Sequence, residues 1–260
     1  MKKIFVTILS FILLNCSYER KERNFINWGA IIWKGEIVLT ENHYIYTSDI
    51  LSIEPGTIIH FSAPYSISII IDGVFLCDGD SDNPVKFVND FTNTYNTVVI
   101  RNNDNQNRIR WTSFSKGIEL AISGFCNVSH SRIENLKIDG FSSSLIKDSL
   151  IGYLQVKDYA KPLIANCCFE RQDLNKNIQI EGVAEVSITN CSIKGKYQGG
   201  LADTYVATVY SSGICILKKN WWNTTNHTYI TNTLLFRENP SLVFYLPFLK
   251  NDPVNSILVP

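Results

Sequence analysis

Few residues in this chain are of types and spacings that could do chemistry. Cleavage of a glycosidic bond needs two carboxyl groups about 5 to 9.5 Å apart. The pair sharing a local pattern is Asp139 and Glu181, each directly after an apolar-x-Ile run, with one intervening coil expected between them. Asp148 and Asp158 have no acidic neighbour in phase. The acid-dense stretch Asp78-Gly79-Asp80-Ser81-Asp82 offers oxygen ligands of the kind calcium takes, but Asp and Gly are also the residues of a solvated turn, which is the reading we favour. His43, His60, His130 and His227 are scattered without metal-ligand spacing, and there is no Cys-x-x-Cys. The expectation is therefore a protein without metal or cofactor, leaning away from catalysis.

Positioning even these groups requires a scaffold, and the scaffold is legible as a repeat. A phrase of the form apolar, any, bulky or polar, small or polar, any, apolar recurs six times, at 109–114, 128–133, 145–150, 164–169, 188–193 and 217–222. Its starts fall 19, 17, 19, 24 and 29 residues apart. An irregular period near twenty, with short alternating runs between copies, describes a solenoid whose turns share one core and differ in loop length. The fourth slot holds Thr112, Ser131, Asp148, Cys167, Cys191 and Asn220. Stacked strands lie about 4.8 Å apart, so Cys167 and Cys191 should sit one above the other. Their parallel Cα–Cβ vectors suit a disulfide poorly, and a ladder of small buried side chains is expected. Alternation then turns Cys168 outward.

The opening coils add the corners. Leu51-Ser52-Ile53-Glu54-Pro55-Gly56-Thr57 sets Leu51 and Ile53 inward before a Pro-Gly bend; Asp72-Gly73 and Asp78-Gly79 make the next ones. Three short strands per coil separated by bends predict an all-β, single-stranded parallel β-helix of about nine to ten coils. The motif Leu51-x-Ile53-x-Pro55-Gly56-Thr57, the strand from Ile71 to Leu76 and the run Asn83-Pro84-Val85-Lys86-Phe87 resemble those of the right-handed parallel β-helix proteins of the pectin-lyase-like class, in an exported bacterial branch. Asn220-Trp221-Trp222 and Pro247-Phe248-Leu249 resemble that branch's closing coils, with Asn223 where it usually has Gly. The resemblance implies a right-handed solenoid. The Asp-Asp, Gly-His-Gly and Arg-x-Lys signatures of the class's hydrolases do not occur here.

Composition bounds the partners. Hydrophobic residues make up 45% and charged residues 18%, enough apolar surface for a single large folded body. With 24 Lys+Arg against 24 Asp+Glu, and a densest charged run, Glu19-Arg20-Lys21-Glu22-Arg23, in which acids and bases are mixed, the chain lacks the basic face nucleic acid requires. Lys2, Lys3 and the apolar run 4–14 read as an export signal, too short to span a bilayer. Cys16 directly after it resembles the lipidated cysteine of bacterial lipoproteins, although Asn15 replaces the usual small residue. The expected organisation is a signal peptide at 1–15, lipidated Cys16 with a tether to residue 24, and a β-helix body over 25–260. A lipid anchor implies membrane attachment in the cell envelope, at the outer membrane or cell surface.

For binding, aromatic side chains are the candidates. Tyr197, Tyr205, Tyr210, Trp221 and Trp222 could offer platforms to sugar rings, with the long insertion 194–210 as recognition loop. The competing role for Trp221 and Trp222 is to close the core at the last coil. The functional expectation is a non-enzymatic module for surface binding, adhesion or structure, with carbohydrate or a surface protein as partner; the alternative is a polysaccharide lyase or hydrolase with a lateral groove.

Overall fold

A computed structural model describes residues 29–170, 177–194, 207–236, 243–254 and 259–260. The signal segment, Cys16 and the tether lie outside these residues. The body is a parallel β-helix. One sheet stacks ten strands in chain order, from Gly29–Trp33 through Asp49–Ile53, Val74–Asp78, Arg108–Arg110 and onward to Val243–Phe244. Ten rungs agree with the coil number expected. A second sheet of fourteen strands carries the other two sides of each coil. They join because Thr112–Ile122 runs unbroken past both Val85–Asn89 and Asn96–Ile100. Every strand pairing is parallel, as a solenoid demands. The expected opening strands form as Gly29–Trp33, Glu36–Leu39 and His43–Ile45.

Alternation builds the core. Leu51, Ile53, Ile59 and Phe61 point inward and are buried, and coil after coil adds a like residue to the same column. Phe87 stacks on Phe114 at 4.6 Å between ring centroids, with Phe61 beyond at 6.5 Å from Phe87. Each such side chain gains roughly 1.5 to 3 kcal/mol from burial. The Pro55-Gly56 corner uses the left-handed φ of 77° at Gly56, whose N–H donates to the Asn83 carbonyl of the next coil at 2.8 Å.

The repeated phrase occupies the corner between the two sheets, and its third residue adopts positive φ in every copy: Trp111, His130, Asp148, Asn166, Asn190 and Lys219. This corrects the third copy. Ile109, Val128, Ile146, Ile164 and Ile188 stack through the strand pairings, so that copy runs 146–151 and the small buried slot belongs to Ser149, not Asp148. Leu145 and Ile146 are both apolar, and Asp148 and Ser149 both polar, so residue type leaves the register open by one position. A one-residue slip exchanges inside for outside.

The slot is a polar ladder within the apolar core. Thr112 N–H donates to Ser131 Oγ (3.2 Å), Ser131 N–H to Ser149 Oγ (3.2 Å), Cys167 N–H to Cys191 Sγ (3.3 Å) and Cys191 N–H to Asn220 Oδ1 (2.9 Å). The side chains of Thr112, Ser131, Ser149, Cys167 and Cys191 donate back to the carbonyl two residues earlier. Backbone groups that the tight corner removes from the strand ladders are thereby satisfied. Cys167 and Cys191 are free thiols stacked as expected. Cys168 does point outward, yet it is only 4% exposed. Asp252, near the chain end, reaches Lys194 beside it, and Lys194 also pairs with Glu170. Asn223, where a Gly was expected, takes φ 57°, a conformation Asn tolerates.

Candidate functional site

The outward residues of the third strand in each coil form the most chemically varied face. Strand pairing of Asn96–Ile100, Thr112–Ile122, Arg132–Ile138, Leu150–Val156, Ile178–Gly182 and Ala207–Ser211 aligns two rows along the solenoid. One reads Val99, Ala121, Lys137, Gln155, Gln179 and Thr208. The next, one alternation on, reads Arg101, Ser123, Asp139, Lys157, Glu181 and Tyr210, where Glu181 is the direct partner of Tyr210. Apolar residues at the alternate positions (Val98, Leu120, Leu136, Leu154, Ile178) anchor each strand in the core, and that turns the residues of the two rows to the other side.

The face is cross-linked. Lys137 Nζ lies 2.8 Å from Asp139, and Ser123 also donates to that carboxylate. Lys157 lies 3.3 Å from Glu181, which accepts from Gln179 Nε2, while Tyr153 Oη donates to Gln179 Oε1 at 2.7 Å. Burial pushes the Asp139 pKa up, but the bonds from Lys137 and Ser123 and the charges of Lys137 and Lys157 more than offset it and hold the carboxyl below its usual value. The Lys137 ammonium is raised, chiefly by its bond to Asp139. At the edge of the face Phe141 stacks on Tyr159, ring centroids 5.2 Å apart and 11° from parallel, and Phe141 is 76% exposed.

Asp139 and Glu181 thus fall in one row with Lys157 between them, their α-carbons about 10 Å apart from the strand spacing. That is near the wide limit for an inverting glycosidase, which also needs one carboxyl held protonated. Asp139 is pushed the other way.

Of the aromatic candidates, Tyr210 lies on this face. Tyr197 and Tyr205, with most of the 194–210 insertion, lie outside the described residues. Trp221 is half-buried and bridges to Ser192 on another side of the coil. Trp222 points into the core at 3% exposure, so it closes the solenoid instead of offering a platform. The residues that composition and motif reading missed are Lys137, Gln155, Lys157 and Gln179. Their signal was a place inside (Lys137, Gln155, Gln179) or directly after (Lys157) an apolar-x-aliphatic run, which becomes a row only once the strands are in register.

Elsewhere, Asp80 Oδ1 accepts from the N–H groups of Asp82 (2.9 Å) and Asn83 (2.7 Å), so the acidic corner spends this carboxylate on its own turn. Among the described residues no group of three acidic, His or Cys side chains converges as a metal site, and no helix there is long and apolar enough to cross a membrane. No family model, curated protein or solved structure matches the chain.

Proposed function

We propose that this chain is an envelope-anchored, non-catalytic binding module whose β-helix body holds an extended, hydroxyl-rich ligand, a carbohydrate chain, along the third-strand face. The carrying observation is the pair of rows Lys137–Gln155–Gln179 and Asp139–Lys157–Glu181–Tyr210. They place donors and acceptors at the coil spacing of about 4.8 Å, so a polymer lying along the axis meets a hydrogen-bonding group at each step. Hydroxyls both donate and accept, which suits a face carrying ammonium, amide and carboxylate together. The exposed Phe141–Tyr159 stack supplies apolar surface beside it. A low Asp139 pKa favours binding over acid catalysis. Anchoring rests on the sequence from Lys2 to Cys16, and kinship with the pectin-lyase-like class on the motifs of the first and last coils; both belong to the proposal.

A glycan array with the purified protein tests it. The expected result is binding to a restricted set of linear glycans without release of reducing ends, weakened at least tenfold by Gln155→Ala with Gln179→Ala, a loss that one or two good hydrogen bonds explain. Sugar cleavage abolished by Asp139→Asn would replace this reading with the hydrolase. Mass spectrometry of the envelope fraction should find diacylglycerol on Cys16.

A further inference from the structure

Of the cysteines in the body, Cys77, Cys126, Cys167, Cys191 and Cys215 are part of the apolar core. Cys168 faces the other way. It stands in an outward row along the second strands of the coils, which reads Lys86, Ser113, Arg132, Leu150, Cys168 and Ser192, with Trp221 bridged next. Lys86 and Arg132 are exposed, and Ser113, Leu150 and Trp221 are half-buried, as outward positions of a solenoid are. Cys168 is only 4% exposed and Ser192 is 0%. The row therefore passes beneath a cover at these two rungs.

The segment that follows Val243–Phe244 arrives there. The Pro247 carbonyl accepts from Lys219 N–H at 2.6 Å, and Leu249 N–H donates to the Asn220 carbonyl at 2.9 Å. Three residues on, Asp252 Oδ2 stands 3.9 Å from Lys194 Nζ, and its side chain is 13% exposed. Its Oδ1 accepts from Val254 N–H at 2.9 Å, within the same segment. Lys194 is divided between Asp252 and Glu170, which lies 3.6 Å away. Beyond Leu249, among the described residues, that long ion pair is the one hydrogen bond or ion pair tying the segment to the coils. Such a pair contributes little, and salt screens it. Beneath the segment, Ser192 Oγ is buried with no nitrogen or oxygen partner among the described residues, which leaves it facing the Cys168 thiol.

We infer that Cys168 is a gated modification site, which exchanges with a low-molecular-weight disulfide when the segment at 250–254 lifts away from Lys194. Closed, the segment keeps solvent and reagents from the thiol. Open, the thiol gives its proton to water, and the Lys194 ammonium beside it favours the thiolate. The thiolate attacks one sulfur of the disulfide: that S–S bond breaks, a new one forms to Cys168, and the other sulfur leaves as a thiolate and takes up a proton. One disulfide is consumed and one is made, so the step needs no further oxidant. Ser192 Oγ, without another partner, hydrogen-bonds a polar group of the incoming molecule. In its row the short thiol stands between the larger side chains of Leu150 and Trp221, so a slim disulfide reaches it where a folded partner's would not. The five core thiols have no such gate.

The test incubates the full chain carrying Cys16→Ser with oxidised glutathione at low salt and follows each cysteine by mass spectrometry. Cys168→Ser separates its signal from that of the adjacent Cys167. The expected result is a slow single adduct on Cys168 over a long incubation, with the five core thiols untouched. Asp252→Lys, which turns the ion pair into repulsion against Lys194, should speed the adduct about fivefold, the equivalent of ~1 kcal/mol. Asp252→Asn, or about 1 M salt with the wild type, should act in the same direction and less strongly. Glu185→Lys, the same charge change away from the segment, should leave the rate unaltered. Adducts rising together on all six cysteines would assign the reaction to global unfolding and overturn the gate. So would wild-type Cys168 reacting as fast as an unprotected thiol, or a rate that neither Asp252 variant nor salt changes.

Discussion

A single buried side chain per coil decides whether the corner between the sheets can be dry. Asn220 is the last rung of that ladder: its Oδ1 accepts the Cys191 N–H at 2.9 Å and its Nδ2 donates to the Ile188 carbonyl at 2.8 Å. Asn220→Ala strands two buried backbone groups and should cost about 2–4 kcal/mol, measured by urea unfolding, whereas Asn220→Asp should recover only the acceptor half. Thiols belong to the same scale. Burial pushes the Cys168 thiol up to about 11 and raises Cys167 well above its ordinary value, with the adjacent Cys191 adding to it. Thiolate is the reactive form, so a chromogenic disulfide reagent at pH 8 should find none of the six body cysteines in the native protein and all six after denaturation. Rapid native labelling of Cys168 would mean that the segment carrying Asp252 does not stay beside it.

Elements are where register matters. Because Ile146 and not Leu145 continues the inward column, Ile146→Ala should destabilise by about 2–5 kcal/mol while Leu145→Lys stays within roughly 0.5 kcal/mol; equal losses would restore the slipped register. Gly117 is a second such point. It bends Thr112–Ile122 at φ 85°, and a Cβ there would lie 2.4 Å from Asn89 Nδ2 and 3.0 Å from the Thr94 carbonyl. The register shift between Phe114 and Glu119 sits at this bend. Coil motifs and corner glycines were readable from residue order, since alternation, Pro-Gly and Asp-Gly act locally. The rows of the candidate site were not. Lys137 and Gln179 sit in like local runs but in different coils, and only strand pairing brings them onto one face.

At the scale of the molecule, each coil touches only its neighbours, so stability should fall toward the ends. Hydrogen exchange should be slowest in Thr112–Ile122, Arg132–Ile138 and Leu150–Val156 and fastest in Gly29–Trp33 and Val243–Phe244. The first coils carry a proton-linked clasp in which His60 lies 2.9 Å from Asp90 and 3.4 Å from Glu36. Hydrogen bonds from His60 first, then from Ser62, hold the Asp90 carboxyl below its usual value. A depressed folded pKa stabilises above the unfolded value, about 3.9, and that stability is lost as pH falls through the folded pKa. Thermal scans should therefore show the wild type losing more stability between pH 5 and pH 2 than Asp90→Asn does.

Residue order by itself determined the coil: apolar alternation, corner residues and a period near twenty can bury their apolar face only by stacking. It also carried the slot in which Cys167 lies over Cys191. What the tertiary structure alone decided was which polar residues share a surface, because neighbours across coils lie 18 to 29 residues apart in the chain and a shift of one residue turns the same side chain from core to solvent. The covering of Cys168, the burial of Trp222 and the gathering of Lys137, Asp139, Lys157 and Glu181 all follow from that long-range register, which local pattern cannot encode.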